Sequence, residues 1–261
     1  MEHVRAKKHL GQHFLTDRNT AERIVNALRP GLGYSQVLEV GPGMGVLSDF
    51  LLQNDRFESW LIDVDTESIA YLQDRYPSLG PRLIHGDFLT LDFKSYFQGP
   101  MAVIGNFPYH ISSQILFKVL DERAQVVEVV GMFQKEVAER CAAKEGSKIY
   151  GILSVLVQAY YDVEYLFTVK AGAFNPPPKV LSGVIRLTRK EKTKLDCDEK
   201  LFWRVVKAAF NQRRKTLRNA LSGVITKDKM NDHSFWDLRA ERLSVADYIF
   251  LTNLISEQKS V

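Results

Sequence analysis

Cysteine is scarce in this 261-residue chain: only Cys141 and Cys197 occur, and neither stands in a metal-ligand spacing. That excludes a disulfide scaffold and a cysteine-held metal centre and predicts two free thiols. No apolar run approaches the ~20 residues that a bilayer span requires, and the basic amino-terminal stretch has no secretion-signal core. A cytoplasmic protein without a membrane segment is the expectation. Internal repeats and low-complexity tracts are missing too. Net charge is only +4, yet its distribution is uneven. Residues 1–190 hold 21 Lys+Arg against 21 Asp+Glu, whereas 191–261 hold 14 against 10. An anionic partner would therefore meet the carboxy-terminal part.

What the chain does have is alternation. Strand-like runs at 36–40, 59–63, 82–85, 101–106 and 126–133 are separated by helical periods at 46–53, 68–75, 112–122 and 135–142. Such units predict a parallel sheet covered on both faces. Two further runs, 162–169 and 180–188, flank Pro176-Pro177-Pro178 and add an antiparallel edge. After the charged stretch Arg189 to Lys194 only helical faces remain, among them Leu201, Val205, Ala208 and Ala209. The expected fold is therefore α/β, a Rossmann-like mostly parallel sheet over 1–190 followed by a small all-helical domain over 191–261. Ahead of these, Asp17 reads as the N-cap of a first helix.

Two stretches carry chemistry. Val37-Leu38-Glu39-Val40 runs into Gly41-Pro42-Gly43-Met44-Gly45, a strand feeding a loop whose glycines let a ligand approach the backbone. An acid, Asp63, ends the next strand 22 residues after Gly41, the spacing at which a carboxylate accepts the hydroxyls of a cofactor ribose. A dinucleotide fingerprint would need glycine at position 46, where Val46 stands, which argues against a nicotinamide cofactor. The pattern resembles the E-x-G-x-G-x-G loop of S-adenosylmethionine-dependent methyltransferases. Asp87, closing another strand, is placed to accept from the cofactor's adenine amino group, and Phe88 to pack on that ring.

Asn106-Phe107-Pro108-Tyr109 follows the fourth strand and should reach the same sheet edge. An exocyclic adenine amine is a poor nucleophile because its lone pair is delocalised into the ring. A side-chain amide oxygen and a backbone carbonyl, each accepting one amino hydrogen, pull the nitrogen towards tetrahedral geometry. Asn106 supplies the first and Phe107 or Pro108 the second, proline fixing the turn without a competing N–H. Tyr109 would stack on the flipped base. His110, adjacent, is expected to be a structural or solvent contact.

Taken together, the chain resembles the KsgA-type small-subunit ribosomal RNA adenine dimethyltransferases from Lys7 to about Leu221. Lys7-Lys8-His9-Leu10-Gly11-Gln12-His13-Phe14-Leu15 looks like the family's amino-terminal arm, and Phe174-Asn175-Pro176-Pro177-Pro178-Lys179-Val180 like the loop whose phenylalanine faces the tyrosine across the base. Ala209 to Asn219 resembles the motif opening the family's carboxy-terminal domain. The resemblance implies S-adenosyl-L-methionine as cofactor, S-adenosyl-L-homocysteine as product, and 16S rRNA within the immature 30S subunit as partner of a monomer. It implies cofactor contacts at His13, Leu15, Gly41, Gly43, Asp63, Asp87 and Asn106. Asn106, Pro108, Tyr109 and Phe174 would hold the adenine, and Arg213, Arg214, Lys215 and Arg218 the RNA. His13 departs from the family pattern, which has asparagine there. Two alternatives stay open: an Erm-type methyltransferase of 23S rRNA, and a ribosome-assembly factor without catalysis.

Overall fold

The computed structural model describes residues 4, 6, 7, 10–230 and 232–259. Arg5, Lys8 and His9 of the arm lie outside the described residues. The chain forms two compact units, one of Met1–Ala138 with Val163–Arg189, the other of Glu139–Asp162 with Lys190–Val261. The first unit's second segment ends at Arg189, and residues 139–162, which the sequence groups with the first domain, fall in the second unit.

In the first unit β1 (Phe14–Leu15) precedes α1 (Arg18–Asn26), whose N-cap Asp17 accepts from the Asn19 amide at 3.1 Å and the Thr20 hydroxyl at 2.6 Å. There follow β2 (Gln36–Val40), α2 (Ser48–Leu51), β3 (Glu58–Asp63), α3 (Thr66–Arg75), β4 (Leu83–His85), α4 (Phe93–Tyr96), β5 (Met101–Asn106), α5 (Ser112–Asp121) and β6 (Val126–Gln134). Then come α6 (Lys135–Ala142), which runs into the second unit, α7 (Ile152–Tyr160) within that unit, and β7 (Tyr161–Val169), β8 (Phe174–Asn175) and β9 (Ser182–Arg189), which return to the first. The main sheet has seven strands in the order β4-β3-β2-β5-β6-β9-β7, parallel from β4 to β6 and antiparallel at β6–β9. Its central strands β2, β5 and β6 read as near-continuous apolar runs because both faces are covered, eight of the nine residues of β6 being buried, whereas the edge strand β7 is mostly half-buried.

Strand order sets the site. From β2 the chain steps outwards to β3 and β4, then returns to the other side of β2 as β5. A crevice opens at that reversal, beyond the carboxyl ends of β2 and β5, where open α/β sheets bind ligands.

The helix after the glycine loop is shorter than its periodicity predicts, Ser48–Leu51 rather than 46–53, because Gly43 to Leu47 is spent on turns. The sequence offers no period for α7, since seven of its nine residues are buried and no polar stripe marks a face. In the second unit α8 (Glu199–Asn211) is N-capped by Asp198 and buries Phe202, Val205, Val206 and Ala209. After it come α9 (Leu217–Ala220) and α10 (Val245–Lys259). Trp236, Tyr248, Leu251 and Ile255 complete this core. Because α8 ends at Asn211 and α9 begins at Leu217, Arg214 and Arg218 do not share a helix face.

Candidate active site

Gly41, Gly43 and Gly45 have φ of +67°, +55° and +79°, backbone that side-chain-bearing residues rarely adopt. The loop therefore folds tightly enough for the Gly45 amide to donate to the Pro42 carbonyl at 2.8 Å, while the Gly41 amide extends the β2–β3 ladder by donating to the Ile62 carbonyl at 2.9 Å. Asp63, 7% exposed, accepts from the Gly43 amide at 3.3 Å and the Asp65 amide at 2.9 Å. Burial pushes its carboxyl up, while those two amides pull it down.

Behind the loop Glu39 is buried and accepts from the Ser48 hydroxyl at 2.6 Å. Burial pushes it up to about 8, against the Ser48 bond and with help from Asp63. The folded chain thus holds a proton at Glu39 that the unfolded chain releases near pH 4.5. Stability from this group is full below pH 4.5 and is lost as pH rises towards about 8. Glu39→Gln is therefore expected to flatten the fall in melting temperature between about pH 5 and pH 8, checked by thermal melts across that range.

The arm is fastened over this edge. Lys7 pairs with Asp65 at 2.5 Å and Glu67 at 3.1 Å, and Gln12 donates to Asp65 at 3.1 Å. Phe14 and Leu15 pair antiparallel with Asn175 and Phe174. His13 Nδ1 lies 2.8 Å from the Pro176 carbonyl; a carbonyl only accepts, so Nδ1 carries the proton. The Asn106 amide nitrogen donates to the His13 carbonyl at 2.8 Å. Asn106 Oδ1 accepts from no described residue and remains the uncommitted end of that amide.

Phe107 anchors the tetrapeptide. Its ring is 1% exposed and lies across Gly105 and Gly131, which are partners in the β5–β6 register. A side chain at Gly131 would collide with it, and one at Gly105 would collide with the Val40 carbonyl while crowding the ring. With Phe107 sunk between two strands, Asn106 and Pro108 on either side are carried to the crevice.

The crevice is lined by His13, Gly41, Gly43, Asp63, Asp87, Asn106, Pro108 and Tyr109, together with Leu10 to Gln12, Val64, Leu89 and His110. Eight of the residues expected at a site thus meet in one cavity. Three do not line it. Phe88 is 3% exposed and packs edge-on against Phe93 at 5.7 Å, so it is a core ring and Leu89 takes the lining position. Leu15 and Phe174, each 4% exposed, are buried beside each other in the β1–β8 pair. The ring nearest Tyr109 is that of His13, at 5.6 Å and 31°. His110 packs against Gly11 of the arm. No sequence signal marks Ser182, the residue bonded to the Tyr109 hydroxyl, nor the Gly105–Gly131 slot, because both depend on strand register.

Such a sheet, with a glycine turn and an acid at one strand end and an Asn-Phe-Pro-Tyr turn at its neighbour, defines a Rossmann-like class I methyltransferase. The ribosomal RNA adenine dimethylase family model matches residues 3–257. The chain belongs to that family and is an rRNA methyltransferase. It is 57% identical over 256 residues to the ribosomal RNA small subunit methyltransferase A of Cytophaga hutchinsonii, covering 98% of this chain and 99% of that one. To the protein of the same name from Porphyromonas gingivalis it is 50% identical, covering 98% and 100%. Among solved structures, a dimethyladenosine transferase from Plasmodium falciparum superposes with a TM-score of 0.78 at 25% identity, over 95% of this chain and 98% of that one. The 23S rRNA methyltransferase ErmE shares the fold, with a TM-score of 0.67 at 23% identity over 92% and 99%. Among the described residues no helix is long and apolar enough to cross a membrane, and no group of His, Cys, Asp and Glu could hold a metal ion.

Proposed function

We propose that this chain dimethylates N6 of two adjacent adenosines in the 3′-terminal hairpin of 16S rRNA. It uses S-adenosyl-L-methionine, releases S-adenosyl-L-homocysteine, and works as a cytoplasmic monomer on the immature 30S subunit. The observation that carries this reading is the Asn106 amide, whose nitrogen is spent on the His13 carbonyl so that only an acceptor is left for an amine.

The residues fit the cofactor. Asp63 is a buried acceptor at a strand end, suited to ribose hydroxyls, and the glycine turn carries no side chain of its own, the Phe14 ring of the arm packing against Gly43. Gly41, Gly43, Asp63 and Asp87 would hold it, with His13 and Asn106 at its reactive end; Leu15 would support the arm from behind. When bound, the cofactor supplies a methyl group on a sulfonium.

The protein's own part is positioning. Asn106 Oδ1 accepts one hydrogen of the adenine amine and the carbonyl of Phe107 or Pro108 the other, which localises the nitrogen lone pair. Tyr109 stacks on the base. Phe174 would reach that base only if the β1–β8 pair parted, so in the described conformation it acts from behind the arm. No side chain need remove a proton before attack, because the methylated ammonium sheds it readily.

The helical unit presents the cations. Lys200, Arg204 and Lys207 are exposed along α8, and Arg214 and Lys215 are exposed beyond its end. Arg213 donates to the carbonyls of Ser147 and Lys148, and Arg218 lies 3.5 Å from Asp237, so these two also brace the unit. Reversing Arg214 and Lys215 together to glutamate is expected to lower the slope of log affinity against log salt by about 2, roughly one for each phosphate no longer neutralised. Titration of small-subunit RNA at several salt concentrations checks this.

The reading is tested by incubating the protein with immature small subunits or naked large-subunit RNA and identifying methylated adenosines by mass spectrometry. Dimethyladenosine in the small-subunit hairpin is expected. Methylation of large-subunit RNA alone would establish the Erm-type alternative, and binding without methylation the assembly-factor alternative.

A further inference from the structure

We infer that Ser182 is a positioning residue for methyl transfer, acting through the Tyr109 hydroxyl; this rests on the proposed stacking of the target adenine on Tyr109. Ser182 opens β9, opposite Gln134 in the register with β6, and is fully buried. Its hydroxyl and the Tyr109 phenol share a hydrogen bond at 2.5 Å, across 73 residues of sequence. Tyr109 itself lies in the short turn that follows β5 and partly lines the crevice.

A phenol stacked on a base needs a fixed ring plane. Rotation about the bond joining Cα to Cβ would sweep the ring across the crevice, and packing on one side does not stop it. A hydrogen bond at the far end of the ring does, because the hydroxyl is the atom that moves furthest. Ser182 is well suited to the task. It sits on a strand held by seven register partners on β6 rather than on a loop, and it is fully buried there. The bond also satisfies a half-buried phenol that burial holds in the neutral, proton-bearing form. The His13 ring, tied to the Pro176 carbonyl, also stands 5.6 Å from Tyr109. The stacking ring is thus framed by one residue of the arm and one of β9.

A purely structural serine would contribute to stability alone. A positioning serine couples to the tyrosine hydroxyl, and a double-mutant cycle separates the two. Ser182→Ala, Tyr109→Phe and the double variant are made in the full chain and assayed on immature small subunits, with cofactor affinity by calorimetry and melting temperature alongside. Each single variant is expected to lower kcat about 5- to 20-fold while cofactor affinity stays within about twofold. The double variant should be no worse than either single one, since both remove the same bond. Multiplicative losses in the double variant, or a Ser182→Ala enzyme as fast as the parent, would overturn the assignment. Should the parent itself methylate no small-subunit RNA, the proposed function fails instead, a result distinct from any pattern within the cycle.

Discussion

Asn106→Ala is expected to reduce methyl transfer by at least roughly 10²- to 10³-fold, the scale on which removing one preorganised hydrogen-bonding group acts, while subunit binding stays nearly intact. The effect has two parts. Loss of Oδ1 removes the acceptor that localises the amine's lone pair, and loss of the nitrogen releases the His13 carbonyl, 2.8 Å away, from its donor. Asn106→Asp separates them. A carboxylate still accepts from the amine but offers no hydrogen to His13, placing two acceptors face to face. If the arm's attachment dominates, the aspartate variant should lose cofactor affinity as severely as alanine does. If lone-pair localisation dominates, it should retain measurable transfer where alanine has none. Single-turnover rates on immature subunits, subunit binding by sedimentation and cofactor affinity by calorimetry read both. Equal methylation by Asn106→Ala and the parent would remove Asn106 from the mechanism.

Why the site was so legible in sequence is physical. A turn that must pass through positive φ at alternate residues writes itself as Gly41, Gly43 and Gly45, and an acid at a parallel strand end is fixed in spacing by one crossover. Asn106 to Tyr109 is contiguous because one turn places all four residues. The unreadable parts are those made by register. Ser182 reaches Tyr109 only because β9 is antiparallel to β6 at a particular offset. Phe88 looked like a cofactor contact from its place beside Asp87, yet Phe93 draws its ring inwards. Periodicity marked α8 through Leu201, Val205 and Ala209, but not α7, whose burial on all sides erases the polar face. Nor does periodicity show where the helix stops: the backbone leaves it after Asn211, ahead of Arg214 and Arg218.

Gly131→Ala is expected to cost nearly as much activity as losing Asn106, although residue 131 touches no substrate. The added methyl would overlap the Phe107 ring and press on Phe133, both buried and packed at 4.9 Å from each other. Neither ring can yield without moving backbone, and overpacking of this kind costs typically ~1–3 kcal/mol. Phe107 is the easier to displace, since it lies at a strand end with its amide held by the Met132 carbonyl at 3.1 Å. Its neighbours Asn106 and Pro108 would move with it, and displacement of a positioned group by about 1 Å can cost ~10²-fold in rate. The melting temperature should fall by several degrees and transfer by roughly 10²-fold, while affinity for RNA is unchanged. Pairing the change with Phe107→Leu, which shortens the obstructing ring, should restore most of the lost stability. That double variant would still transfer slowly if the ring is what holds Asn106 in place. A Gly131→Ala enzyme with parental rate and stability would show that Phe107 does not fix the tetrapeptide.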